Sequence, residues 1–140
     1  MESSLEVERR GVRLHALLID PYAGSREGLR ASLEAEGCVV EATADAPHAL
    51  ALMRAGGFDL AVLDLDLSPA RGIARSAWEL ARLFRVFNPS APLVLLAAEL
   101  GRDPDAEAAC VCPALVLEKP IDTAQLRAVV RQLRTETARG

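Results

Sequence analysis

The feature that most constrains the fold is a regular alternation of short apolar runs with segments whose apolar residues recur at helical spacing. Five strand-like runs are predicted, over residues 14–19, 38–43, 60–65, 92–98 and 114–117. The third run, LAVLDL, is apolar on both faces apart from Asp64, which is typical of a strand buried between two layers of helices. This alternation predicts an α/β fold, a single doubly wound five-stranded parallel sheet covered by helices on both faces.

The segments between the strands predict five helices and leave no linker or second domain. The first is expected to stop at Gly37 and the second at Gly56-Gly57, because glycine commonly follows the last turn of a helix. The longest pattern runs from Ala70 to Phe87, a short fourth helix is expected over 104–110, and Leu126, Val129, Val130 and Leu133 line the fifth. The predicted domain is 13–134, between tails of 1–12 and 135–140.

Composition excludes several classes of protein. The 140 residues suit one domain, and the formal net charge of −4 does not fit a generally basic nucleic-acid binder. No apolar run is long enough to span a membrane, and the N-terminus does not resemble a signal peptide. Three cysteines without paired spacing favour a reducing, cytoplasmic location. Because nucleotide-binding and hydrolase motifs are absent, the sequence gives little support to an enzyme.

Polar residues stand where the predicted strands end. Asp20 follows the first strand, Asp64 and Asp66 end the third, and Lys119 follows the fifth. In an open parallel sheet, ligands bind outside the carboxyl ends of the strands. Carboxylates are ligands for magnesium, and a lysine ammonium is a compact charge for an anionic oxygen. The sequence therefore predicts a site for a divalent cation and a phosphoryl or similar anion.

Together these residues resemble the receiver domain of bacterial two-component response regulators. The resemblance covers roughly residues 12–134 and is carried by LLID at the first strand, FDLAVLDLDLSP around Asp64, PLVLLAAE at the fourth strand and LEKP at the fifth. It implies the flavodoxin-like (βα)5 fold of that family.

The resemblance also implies a role for each residue of the predicted site. Asp64 matches the phosphoacceptor, which forms an acyl phosphate with a phosphohistidine donor, and Lys119 matches the lysine that contacts the phosphoryl oxygens. Asp20 matches the first member of the acidic pair that binds magnesium, and Asp66 the position whose main-chain carbonyl completes the metal shell. The metal set is thus Asp20, Asp64 and Asp66, and the bond to Pro120 is expected to be cis.

Three positions depart from the family pattern. Pro21 replaces the second acidic residue, Ala97 the hydroxyl residue of the fourth strand, and Val116 the aromatic residue of the fifth. We therefore expect weak magnesium binding and a damped conformational response to phosphorylation. A few extra residues between Asp64 and the fourth strand are expected to lengthen the third helix.

The resulting hypothesis is a stand-alone receiver domain in a phosphorelay that signals through protein contacts. Its partners would be a histidine kinase or phosphotransfer protein and a downstream protein. One alternative is a pseudo-receiver, an interaction module that is never phosphorylated, and a weaker one is a flavodoxin-like binder of another anion. The stripe Arg127, Arg131, Arg134 is interpreted as a solvated face, or as one side of a homodimer through the fourth helix, fifth strand and fifth helix.

Overall fold

A five-stranded, fully parallel sheet forms the centre of the molecule. The computed structural model describes residues 13–68, 70, 72, 76–98 and 113–139. The strands are β1 His15–Ile19, β2 Val39–Thr43, β3 Leu60–Asp64, β4 Leu93–Ala97 and β5 Leu115–Glu118, in the spatial order β2-β1-β3-β4-β5. β3 and β4 are buried along their whole length, as their uninterrupted apolar sequences predict. The predicted fold class is confirmed.

Helices cover both faces of the sheet. The described helices are α1 Ala23–Ala35, α2 Ala46–Ala55, α3 Ala77–Phe87 and α4 Thr123–Arg139. α2 and α3 pack on one face, where Met53 and Phe84 join a core with Leu63 and Leu95. α1 and α4 pack on the other face, where Leu33 and Val130 belong to a second core. Alternate residues of each central strand thus supply two separate cores.

The third helix begins later than the sequence predicts. It starts at Ala77 rather than Ala70 and has 11 residues, so the extra residues after Asp64 do not lengthen it. Gly72 has a φ of +80°, which is incompatible with a right-handed helix, and Ser76 is extended at the N-cap position. Phe87, the last residue of the predicted helical pattern, is 39% exposed.

The C-terminal helix is longer than its apolar pattern. α4 continues to Arg139, so residues 135–139 are helical rather than a separate tail. The Thr135 hydroxyl donates to the carbonyl of Arg131, and Gln132 donates to Glu136. Such polar i,i+4 contacts leave no apolar periodicity in the sequence. The predicted helix over 104–110 lies outside the described residues.

The arginine stripe of α4 stays partly exposed to solvent and also binds a carboxylate of the same chain. Glu36, buried just after α1, accepts from Arg127 Nε at 2.7 Å and from Arg131 at 2.8 and 3.1 Å. Arg134 lies 3.8 Å from Glu36 Oε2 and close to Gly37, whose φ of +91° follows the end of α1. We call these four charged residues the Glu36 cluster. The three arginines are therefore engaged with Glu36 within one chain.

Within the described part of the chain, no helix has the length and apolar character needed to cross a membrane.

Candidate functional site

The site lies at the carboxyl edge of the sheet, where the strand order changes direction. β1 and β3 are adjacent and pair Ile19 with Leu63, so Asp20 and Asp64 follow as neighbours. Both side chains are fully buried. From β1 the chain adds β2 on one side of the sheet and then β3 on the other, so the strand order reverses between β1 and β3. Open α/β sheets bind ligands at such a reversal.

Asp64 is held by the turn that follows β3. Its Oδ1 accepts a hydrogen bond of 2.8 Å from the Asp66 N–H, and its carbonyl accepts from the Leu67 N–H at 3.1 Å. Its Oδ2 forms an ion pair of 2.6 Å with Lys119 Nζ. Burial raises the pKa of Asp64 above its ordinary value, and the charge of Asp20 adds to the rise, although Lys119 and the Asp66 N–H partly oppose it. Ionisation of the Asp64 carboxyl group in this buried position therefore costs free energy.

Lys119 reaches Asp64 from the end of β5. Its backbone N–H donates to the Ala97 carbonyl at 2.8 Å, which anchors it to the end of β4. The Lys119-Pro120 peptide bond is cis, as expected from the family resemblance. Burial lowers the pKa of Lys119, but the hydrogen bonds and charges of Asp64 and Asp66 outweigh it, so the pKa is raised overall. The ammonium thus stays charged beside the two carboxylates.

Tyr22 is a member of the site that the sequence analysis missed. Its N–H donates to Asp20 Oδ1 at 2.8 Å, which forms an Asx turn leading into α1. Its hydroxyl donates to Asp66 Oδ2 at 3.2 Å, and Lys119 Nζ lies 4.7 Å from its ring centroid. The Asp66 charge raises the pKa of Tyr22. The only sign of this role in the sequence is the position of Tyr22, an aromatic residue two positions after Asp20.

The residues present fit a hard divalent cation held by few protein ligands. Asp20 Oδ2 is buried and accepts no hydrogen bond from any residue described, an arrangement that favours a cation partner. Asp64 supplies the neighbouring carboxylate. Among the described residues, however, no three acidic, histidine or cysteine side chains are grouped to hold a metal by themselves. Main-chain oxygen and water would have to complete the shell, as magnesium commonly allows.

The structure brings together Asp64, Asp66 and Lys119 and sets Asp20 beside them. The Asp66 side chain points to Lys119 and Tyr22, so it is engaged rather than free to replace the carboxylate lost at Pro21. Ala97 is buried at the end of β4, and Val116 packs against the core beneath α2 and α3. Neither side chain offers a hydrogen-bond donor or an aromatic ring.

A family model described as the response regulator receiver domain matches residues 16–131. A response regulator receiver domain protein from Methanospirillum hungatei is 19% identical with a TM-score of 0.78, over 91% of this chain and 98% of the other. A two-component response regulator from Clostridium difficile is 21% identical with a TM-score of 0.75, over 86% and 95%. A comparison with curated proteins finds no match.

A third structure is a response regulator protein from Burkholderia pseudomallei with a phosphorylated aspartic acid, a calcium ion and citrate. It is 22% identical with a TM-score of 0.73, and the alignment covers 88% of this chain and 69% of that one. Because the family model covers most of the sequence, the chain belongs to the response regulator receiver domain family. It is thus a two-component signalling module, and members of this family typically bind divalent ions and work with kinases or phosphotransfer proteins.

Proposed function

We propose that this receiver domain accepts a phosphoryl group on Asp64 from a phosphohistidine donor. The observation that carries the proposal is the fully buried Asp64 carboxylate, 2.6 Å from Lys119 Nζ at the end of a central strand. A carboxylate kept there despite the cost of burial, next to a fixed cation, is more readily explained by chemistry than by folding.

The transfer requires one bond to form and one to break. An Asp64 carboxylate oxygen forms a bond to phosphorus as the bond between phosphorus and the histidine nitrogen of the donor breaks. The bonding pair stays on that nitrogen, which takes a proton to leave as neutral imidazole. Lys119 Nζ, already at the carboxylate, would bind a phosphoryl oxygen and offset its charge.

A magnesium ion belongs to this proposal, held by Asp20, Asp64 and the main-chain carbonyl of Asp66. When bound, it would neutralise phosphoryl charge. The unpartnered Oδ2 of Asp20 supports this role. With Pro21 in place of a second acid, we expect weak binding, and a submicromolar magnesium affinity in titration calorimetry would contradict this.

Intact mass spectrometry after incubation with acetyl phosphate and magnesium tests the proposal. The wild type should gain one phosphoryl group and Asp64→Asn none. Asp59→Asn is the matched control, because Asp59 is exposed at the opposite end of the same strand. Phosphorylation of Asp64→Asn at the wild-type level would refute the assignment.

A pseudo-receiver is the second candidate function, and the same experiment decides it. It is favoured by the absence of a three-ligand group among the described residues and by the donor-free side chain of Ala97. If neither acetyl phosphate nor a phosphohistidine donor modifies the wild type, the domain would act as an unphosphorylated interaction module.

The partners in this proposal are a phosphohistidine-bearing protein and a downstream protein. A cytoplasmic location belongs to it as well, and the free, buried thiol of Cys38 is consistent with a reducing environment. A homodimer through the segment after β4, β5 and α4 stays a prediction, and the arginines of α4 already contact Glu36 of the same chain.

A further inference from the structure

Lys119 is surrounded by more negative charge than its role at Asp64 requires. Its Nζ lies 2.6 Å from Asp64 Oδ2 and 3.1 Å from Asp66 Oδ2. The same Asp66 oxygen accepts the Tyr22 hydroxyl at 3.2 Å. An incoming phosphoryl group would have to share the ammonium with a carboxylate that is already bound to it.

The Asp66 carboxylate is held in this place from the far side of the site. Asp66 is 37% exposed, so on its own its side chain could turn into solvent. Tyr22 opposes that movement, because its hydroxyl binds Asp66 while its backbone N–H is fixed to the buried Asp20. The ring also lies beside Lys119, so all three side chains form one contact group.

We propose that Tyr22 is a positioning residue that holds Asp66 on Lys119, so that Asp66 competes with the phosphoryl group for the ammonium and slows phosphorylation of Asp64. This inference rests on the proposed function. Asp66 supplies the competing charge, and Tyr22 acts only through Asp66.

Rates of phosphoryl uptake from acetyl phosphate test the competition. Asp66→Asn should react about fivefold faster, equal to about 1 kcal/mol, the upper value for a partly exposed ion pair. Tyr22→Phe keeps the ring beside Lys119 but removes the hydroxyl, and it should accelerate the reaction by a smaller factor. In an Asp66→Ala background Tyr22→Phe should have no effect. Glu118→Gln removes the same charge from an exposed neighbour of Lys119 and should leave the rate unchanged.

The ionisation of Tyr22 tests the contact without any phosphorylation. It is the only tyrosine in the chain, so the absorbance change of phenolate formation reports this residue alone. In the wild type the pKa of Tyr22 should be above its ordinary value, because the Asp66 charge opposes a second negative charge. Asp66→Asn should lower that pKa, whereas Glu118→Gln should not.

The two measurements separate the possible failures. If Tyr22 titrates identically in the wild type and in Asp66→Asn, the contact is absent and the inference is overturned. If the titration shifts but the variants are phosphorylated at the wild-type rate, the contact is structural and the inference is again overturned. If no variant is phosphorylated while the titration shifts, the proposed function fails, and the competition with it.

Discussion

The ion cluster at the carboxyl edge of the sheet and the Glu36 cluster between α1 and α4 have opposite charge balances. At the edge, three carboxylates face one ammonium, namely Asp20, Asp64, Asp66 and Lys119. In the Glu36 cluster, one carboxylate faces three guanidinium groups. The first cluster therefore has an excess of negative charge, whereas the second has an excess of positive charge.

The difference also appears in the pKa values of the central carboxylates. Hydrogen bonds from Arg131 and Arg127 lower the pKa of Glu36, so its charged form is favoured in the folded protein. Burial raises the pKa of Asp64 despite its contact with Lys119, so its charged form is disfavoured. The comparison indicates that the charge of Glu36 stabilises the fold, whereas the charge of Asp64 costs stability and leaves a reactive carboxylate available.

The largest effect is expected from the cation of the edge cluster. Lys119→Met should reduce the rate of phosphoryl uptake at Asp64 by about 100-fold, because removal of one fixed charge-stabilising group typically costs that much. Arg131→Met removes a cation of the Glu36 cluster and should leave the rate within about twofold while lowering stability. Equal losses of phosphoryl uptake in both variants would abolish the distinction between the clusters.

Replacing Glu36, the carboxylate at the centre of the Glu36 cluster, should have a smaller effect, which is on stability. Glu36→Gln should lower the free energy of unfolding by about 1–2 kcal/mol, since charged hydrogen bonds are lost but the arginines are partly exposed. Glu34→Gln on the same helix breaks only an exposed contact to Arg30 at 3.8 Å and should change stability by less than about 0.5 kcal/mol. Urea unfolding followed by the single tryptophan measures both. Equal losses would show that the cluster contributes no more than an ordinary surface pair.

Most of the sheet and the centre of the site could be predicted from the sequence. Apolar runs, interrupted only by Asp64 at the end of β3, predicted β3 and β4, because a strand covered on both faces is mostly apolar. Asp20, Asp64 and Lys119 follow strands, and the carboxyl ends of parallel strands meet at one edge. Strand positions alone were therefore enough to bring these residues together.

Two other contacts between polar side chains far apart in the sequence could not be predicted. Tyr22 meets Asp66 across 44 residues, and Glu36 meets Arg127 across 91. Neither pair has periodicity in the sequence. The pairing of β1 with β3 brings Tyr22 near Asp66, and the packing of α1 against α4 brings Glu36 near Arg127. The late start of α3 was missed for a different reason, since the φ of Gly72 depends on a turn that helical spacing does not reveal.

Replacing the central carboxylate of the edge cluster should raise stability, whereas replacing Glu36 should lower it. Asp64→Asn should raise the free energy of unfolding by about 1 kcal/mol, because it removes a buried charge whose desolvation outweighs its ion pair. Asp59→Asn, at the exposed start of the same strand, is the control and should not be stabilising. A loss of stability in Asp64→Asn would mean that the Lys119 ion pair outweighs burial, and the two clusters would then be alike.

The two carboxylates should also respond to acid in opposite directions. The pKa of Asp64 in the folded state lies above the ordinary value of 3.8, so the folded state binds this proton more tightly than the unfolded state. Its destabilising effect at neutral pH is therefore relieved as the pH falls through the raised pKa. The pKa of Glu36 lies below the ordinary value of 4.5, so its contribution is fully present above that value and is lost as the pH falls through the lowered pKa.

The smallest expected effect follows from these signs. As the pH is lowered from neutral toward about 4.5, the stability advantage of Asp64→Asn over the wild type should shrink by a few tenths of a kcal/mol, approaching zero once Asp64 is protonated. The deficit of Glu36→Gln should stay constant down to about pH 5.5 and shrink only below that, as the unfolded state begins to take up a proton near the ordinary pKa of 4.5. Urea unfolding of the three proteins at several pH values measures both differences. An Asp64→Asn advantage that is independent of pH would show that its origin is packing rather than charge. A Glu36→Gln deficit that already shrinks above about pH 5.5 would show that both carboxylates experience the same electrostatic environment.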